Sequence, residues 1–460
     1  DLAALGGAGG NGSMVLGDHG AVGDFGTLTG GPVSTAAPIE TTGSWLTNDQ
    51  GQVVLLHGLN EVYKIAPFEP SASGFDDDDA QFLEDNGFNV VRLGVIWSAV
   101  EPAPGVFNDS YLTSIEKTIQ ILHDHDIYAL IDFHQDGYSG AFGGEGAPAW
   151  AVNDGGLPNP TLGFPLNIFF NPAEQQAWES FWTNTDDPNG VGLENDYAQM
   201  LEYVTNSFNV SGANSDLLGY EIMNEPSPGI SSFLSTIFGN PFFDSQQLTP
   251  FYDQASSAIR AVDPSTPVFF EPNVLSNAGI PTSLGTVDAS NTVLSFHDYC
   301  EFDLGPLGCL PAVSAVVGNA EAYANAHNIP AFMSEFGATS NQTQLAAPMQ
   351  GADQNLLGWT EWAYSGQGDI TTSASPPGSE SLVYDPSQLP TGDNINTANL
   401  ATLAEPYPQL VSGTPTSFSF ENGTFQFSYS TEHVDGSGSF ATGSQTTISV
   451  PVTEFPDGYH

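Results

Sequence analysis

Two short stretches hold the residues best suited to chemistry. In YEIMNEP (220–226) an apolar run ends on an amide and a carboxylate, Asn224 and Glu225, just before a proline. In PAFMSEFG (330–337) a second apolar run ends near Glu335. A carboxylate that closes such a run needs water, a partner or a role. Two of them brought together push their proton affinities apart, so one can hold a proton while the other stays ionised. The first then acts as a general acid and the second as a nucleophile. Only a tertiary fold can pair groups so distant in the chain.

The elements that would do so recur along the sequence. Apolar runs at 53–60, 89–97, 128–134, 217–225, 267–273, 292–299, 330–337 and 356–366 read as strands. Helical spacing lies between them: Tyr111, Ile115, Ile119 and Leu122 make one apolar stripe. Eight alternations of near-continuous apolar strand and amphipathic helix predict an α/β fold, a (β/α)8 TIM barrel with its sheet buried on both faces. Catalytic groups of such a barrel sit at the C-terminal ends of its strands. Those ends carry His57 and Asn60, Arg92 and Trp97, His134 and Asp136, Asn224 and Glu225, Glu271 and Asn273, His297 and Tyr299, Glu335, and Glu361 with Trp362. Any one alone is more often a strand-end residue satisfied by loop backbone; the converging set is harder to dismiss. Glu225 and Glu335 close the fourth and seventh strands, which a barrel turns toward each other. Carboxyl groups roughly 5–5.5 Å apart are the arrangement of a glycosidase that retains anomeric configuration. Asn224, beside the acid, could then bond the sugar 2-hydroxyl.

Composition divides the chain further. Residues 1–40 are rich in Gly, Ala and Thr without a sustained period and read as a flexible leader. Residues 41–407 hold the barrel. Residues 408–460 follow another pattern, in which TSFSFENGTFQFSYSTE alternates strictly around an ENG turn and predicts a small C-terminal β-sandwich-like domain. Too few strands follow to close it, so truncation is expected there. The four aspartates at 76–79 read as the acidic first turn of a helix rather than a calcium loop.

Charge excludes some partners. Against 54 acidic residues stand four basic ones, Lys64, Arg92, Lys117 and Arg260, for a net charge of −50. Such a surface repels phosphate backbones, so nucleic acid is not expected as a partner. No run is long and apolar enough for a transmembrane helix, and no signal peptide stands at the start; one would be already removed or left out. The depletion of Lys and Arg suits acid tolerance, favouring a secreted protein working at low pH. Cys300 and Cys309 lie nine apart. A disulfide there would close a short loop and stabilise by roughly 2–3 kcal/mol, with two free thiols as the alternative. The histidines show no metal-ligand spacing.

The motifs IMNEP, FHDY and MSEFG resemble those of glycoside hydrolase family 5, retaining (β/α)8 hydrolases. HGLNEVYK, GFNVVRLGVIWSAVEPAPG, LIDFHQDGYSGAFGGEGAPAWA and GLPNPTLGFPLNIF are similar to its endoglycoceramidase branch, over about residues 45–460. The resemblance implies Glu225 as acid/base and Glu335 as nucleophile, with Arg92 orienting Glu335, Tyr299 donating to it and His297 lining the same wall. Lys64, His134 and Asp136 would hold glycan hydroxyls, and Trp362, with Trp359 as the substitute, would form the platform under the first sugar. It implies an endo-β-glycosidase releasing the oligosaccharide from ceramide, with no cofactor or metal, working as a monomer on glycosphingolipid at a membrane or micelle interface. ISSFLSTIFGNPFF could cradle acyl chains or pack on the barrel as a helix. The alternatives are an exo-β-glucosidase on glucosylceramide or steryl glucoside, an endoglucanase on soluble β-glucan, and an inactive glycan- or lipid-binding protein.

Overall fold

The computed structural model describes residues 2–6, 12–16, 29–30, 38–299, 310–372 and 374–455. Cys300 and Cys309, expected to form a disulfide, lie outside the described residues.

Eight parallel strands close a barrel in chain order: β1 His57–Glu61, β2 Val90–Ile96, β3 Tyr128–His134, β4 Leu217–Glu221, β5 Val268–Phe270, β6 Thr292–Asp298, β7 Ala331–Phe336 and β8 Gly358–Glu361. All seven residues of β2 are buried, as a sheet covered on both faces requires. Tyr111, Ile115, Ile119 and Leu122, all buried on helix Asp109–Asp124, supply part of the outer cover. The aspartates at 76–79 open helix Asp77–Asp85: Asp76 caps it and Asp79 Oδ2 accepts from Asp76 N at 2.9 Å.

The barrel interior is layered. At the N-terminal end Leu56, Val90, Tyr128, Leu130, Leu218, Phe269, Val293 and Phe332 pack with Ile39, Leu46, Val54 and Leu410 into an apolar floor. The polar side chains gathered around Arg92 stand in the layer above. Two irregularities in the ladder aim them. Between Leu217 and Gly219 the register with β3 slips, so Leu218 enters the floor while Glu221, not Tyr220, reaches Arg92. A Cβ at Gly219 would lie 2.5 Å from the Phe269 ring, so the slip needs glycine. A second slip opposite Phe296 and His297 pairs His297 with Glu335.

Below the floor lies an antiparallel sheet of seven strands, ordered Thr29–Gly30, Leu2–Gly6, Gln445–Ser449, Tyr407–Val411, Val53–Val54, Trp45–Asn48 and Ile39–Thr42. A second sheet joins Thr414–Glu421, Thr424–Ser430 and Gly12–Leu16. The expected hairpin turns at Asn422 and Gly423, both at positive φ. Three expectations change here. The run at 53–60 divides, its first two residues pairing with Tyr407–Val411 before β1 begins at His57. The region read as a flexible leader contributes Leu2–Gly6 and Gly12–Leu16, which pair with open edges at Gln445–Ser449 and Thr424–Ser430. An edge strand's unpaired backbone groups capture an extended segment whatever its composition. His57, placed among the catalytic strand ends, lies at the opposite end of β1, stacked 4.2 Å from Trp359 and 3.7 Å from Tyr407.

Candidate active site

Arg92 organises the upper layer. It projects from β2 with no solvent exposure and meets four carboxylates: Glu335 Oε1 at 2.5 Å, Asp132 Oδ1 at 3.1 Å, Glu271 Oε1 at 3.3 Å, and Glu221 through Nε. Its remaining hydrogens go to the amide oxygens of Asn224, 2.8 Å, and Asn60, 3.0 Å. A buried guanidinium is tolerable only with such compensation. Burial works against its charge, but the surrounding carboxylates prevail and hold its pKa well above the ordinary value.

Glu225 and Glu335 meet across this layer. Their carboxylate oxygens and the His297 ring all offer atoms within 4.8 Å of one another. His297 Nδ1 lies 2.8 Å from Glu225 Oε1 and 3.4 Å from Glu335 Oε2. Burial alone would lower the His297 pKa; Glu271 and Glu335 reverse that and raise it well above the usual value. The Tyr299 hydroxyl donates to Glu335 Oε2 at 2.6 Å. Burial and the charge of Glu335 raise its pKa, so it stays a donor. Glu225 itself stands at φ 42, a left-handed conformation rare for a side chain with a Cβ and held only by its surroundings.

One wall of a cavity of about 100 Å³ above the pair is polar, built from Lys64, Asp136, Thr371, Thr372 and Trp362. Lys64 Nζ donates to Asp136 Oδ2 at 2.6 Å and Thr371 Oγ1 at 2.7 Å, and sits 4.1 Å from the centre of the Trp362 ring. Trp362 Nε1 donates to Asp369. An apolar group, Phe164, Pro165, Ile168, Phe169, Val274 and Leu275, also lines the cavity. Helices Leu166–Phe170 and Phe233–Ile237 and the residues that follow the second leave Phe170 67%, Leu234 66% and Phe238 81% exposed, while Phe233 and Phe243 are buried. In the segment expected to cradle acyl chains or to pack on the barrel, Phe233 and Phe243 pack inward while Leu234, Phe238 and Phe242 stay exposed.

Residues 49–368 match the family described as cellulase (glycosyl hydrolase family 5), and residues 406–460 match the glycoside hydrolase family 5 C-terminal domain. The chain belongs to glycoside hydrolase family 5. Endoglycoceramidase I of Rhodococcus hoagii (strain 103S) is 30% identical over 453 residues, which span 93% of this chain and 82% of that protein. Endo-glycoceramidase II from Rhodococcus sp., solved with a five-membered iminocyclitol, is 27% identical with a TM-score of 0.74, covering 91% of this chain and 92% of the other. The same protein has been solved as a lactosyl-enzyme intermediate and with ganglioside GM3, each at 26% identity and a TM-score of 0.73 over the same shares. The chain is a retaining glycoside hydrolase similar to the endoglycoceramidases.

In this family 5 enzyme the expected site residues take distinct stations. Glu225, Glu335, Lys64, Asp136, Tyr299 and Trp362 line the cavity; Arg92, His297, His134 and Asn224 stand behind it. His134 holds Asp132 at 2.6 Å and stacks on Trp362; against burial, the Asp132 charge raises its pKa to about 10. Asn224 Nδ2 donates to Gln135 O at 3.0 Å, which leaves one amide hydrogen for a substrate hydroxyl. Trp359 bonds Asp353 beside His57 near the floor, so Trp362 is the tryptophan at the cavity. Among the described residues two groups have ligand atoms close enough for a metal, His134–Asp136–Glu145 and Glu225–His297–Glu335. In the first the Lys64 ammonium donates to Asp136, and in the second the carboxylates around His297 favour its charged form. Sequence reasoning missed Asn277, Asp369, Thr371 and Thr372. They lie in loops after β5 and β8, where no periodicity marks them; the polar GDITT run after Trp362 was the available signal.

Proposed function

We propose that this enzyme cleaves the bond between oligosaccharide and ceramide in glycosphingolipids by double displacement. One observation carries the reading: the carboxylate pair lines one cavity in which a polar cluster and an apolar cluster meet. The substrate's reacting bond is likewise where glycan and lipid meet. Glu225 donates its proton to the oxygen shared by glucose and ceramide. Glu335, oriented by Arg92 and Tyr299, forms a bond to the anomeric carbon as that carbon–oxygen bond breaks. A water, deprotonated by Glu225, then releases the glycan with its configuration retained. Lys64, Asp136 and the Trp362 ring hold the sugar side, and Asn224 serves the 2-hydroxyl. The exposed phenylalanines suit contact with a micelle or membrane surface, with no transmembrane helix among the described residues. The protein acts as a secreted monomer in acid surroundings, a reading supported by its acidic composition and its many buried carboxyl groups.

A mass-spectrometric assay on lactosylceramide tests this with Glu225→Gln and Glu335→Gln. Free lactose and intact ceramide are expected from the wild type, and losses of about 10²-fold or more in both variants. Release of galactose or glucose alone would move the activity to an exo-glucosidase. Cleavage that persists in Glu335→Gln would remove the assigned nucleophile.

A further inference from the structure

The turn after β5 reaches the site from its apolar side. Val274–Ala278 starts at Asn273, whose Oδ1 accepts from Leu275 N and whose Nδ2 donates to Asp244 Oδ1 at 2.7 Å. Asp244 also accepts from Ser283 N at 2.6 Å and Thr282 Oγ1 at 3.0 Å. Asn319 Nδ2 donates to Gly279 O at 3.0 Å. Clamped at both ends, the turn carries Val274, Leu275 and Ala278 on the cavity wall with Asn277 among them.

Asn277 Nδ2 donates to Glu225 Oε1 at 2.5 Å, the same oxygen that His297 Nδ1 approaches at 2.8 Å. Among the described residues these two donors both converge on Oε1, and none reaches Oε2. An oxygen that already accepts two donated hydrogens is a poor place for a carboxyl proton, which then resides on its partner. Resting on the function proposed above, we propose that Asn277 is a positioning residue for general acid catalysis. With His297 it reserves Oε1 as an acceptor and fixes the transferable proton on Oε2, the oxygen left for the glycosidic oxygen. The amide arrives on the turn that lines the apolar wall, so contact with the lipid and alignment of the acid depend on one rigid element.

The test compares kcat/KM of the wild type, Asn277→Ala and Asn277→Asp on lactosylceramide and β-lactosyl fluoride from pH 4 to 8. Fluoride departs without needing a proton, whereas the ceramide alkoxide does not. Asn277→Ala should lose at least about tenfold more on lactosylceramide than on the fluoride, a modest share of the ~10²–10⁴ that acid catalysis supplies. The groups facing Glu225 are His297, Glu335, Tyr299 and Glu271, whose Oε2 accepts from Glu225 N at 3.0 Å. Asn277→Asp adds another carboxylate against them at nearly unchanged size. It should move the alkaline limb of the lactosylceramide profile upward by about half a pH unit or more. Equal losses on both substrates, or an unmoved limb, would reduce Asn277 to a structural residue and overturn the proposal. A wild type inert toward both would instead overturn the reading of function on which it rests.

Discussion

Around Arg92 the buried carboxylates meet a cation, whereas behind β1 and β8 they meet one another. Glu335, Glu221, Asp132 and Glu271 share the guanidinium. Even so they outnumber the nearby positive charges: burial, with the neighbouring Glu221 charge, pushes Glu271 up to about 8. Among the described residues Glu361 has no such partner. Its two oxygens are buried without a hydrogen bond among the described residues, and burial, then the charge of Glu380, raises its pKa well above the usual value. Glu61 is pushed up to about 8 by burial and by Asp79. Burial also raises Asp79 to about 6, against the opposing hydrogen bond from Tyr364. Of only four Lys and Arg in 460 residues, two, Lys64 and Arg92, are buried against carboxylates at the candidate site. Among the described residues Glu361, Glu61 and Asp79 lack such a cation, and burial favours their acid forms, so they should favour the fold at low pH.

Removing the cation should have the largest effect. Arg92→Met leaves four carboxylates buried together, a cost of about 3–5 kcal/mol or more. Urea unfolding should find this variant unfolded or severely weakened at pH 7 and partly recovered at pH 4. Recovery absent at pH 4 would mean that packing, not charge, governs the layer. Wild-type stability should show the second population directly. A carboxyl whose folded pKa is raised binds more protons in the native than in the unfolded state. Its contribution is fully present below about pH 4 and is lost as pH rises through the folded value. For Glu61, Glu174 and Glu405, each raised to about 8 with burial the leading cause, the loss spans roughly pH 4.5 to 8. Each group forced to ionise there removes about 1.4 kcal/mol per pH unit. Thermal melts should therefore decline steadily from pH 5 to 8, and a flat profile would refute the contrast. The smallest effect separates the two populations residue by residue. Glu361→Gln should be nearly neutral at pH 4 and stabilising at pH 8, because an amide never needs to ionise. Glu221→Gln should weaken the fold by about 1.5–3 kcal/mol at pH 7, because Arg92 loses a charged acceptor. Equal responses in chemical denaturation would erase the distinction.

The barrel was readable because a strand buried on both faces must be apolar along its length, and eight such runs alternate with helical spacing. The site was readable as residue types at strand ends, yet not as directions. Strict alternation from Leu218 would aim Tyr220 inward, but the slip at Gly219 presents Glu221 instead. His57 shows the same limit. A strand has two ends, and only the division of the run at 53–60 reveals that His57 belongs to the floor. The small β domain takes in two strands from the other end of the chain, a pairing that its own alternation does not show.

Hydrophobic periodicity and residue type are local properties, so the sequence by itself determined the eight strand–helix units, the choice of Glu225 and Glu335 as carboxylates that the barrel brings together, and the motifs of the family. What it could not contain is which oxygen meets which donor. Arg92 finding four carboxylates, His297 standing between the acid pair and Asn277 reaching Glu225 from a loop depend on ladder slips and turn geometry set by packing across the barrel. Those contacts join residues far apart in the chain at distances of about 2.5–3.4 Å. A register change of one residue would turn such a side chain to the other face of its strand and break them.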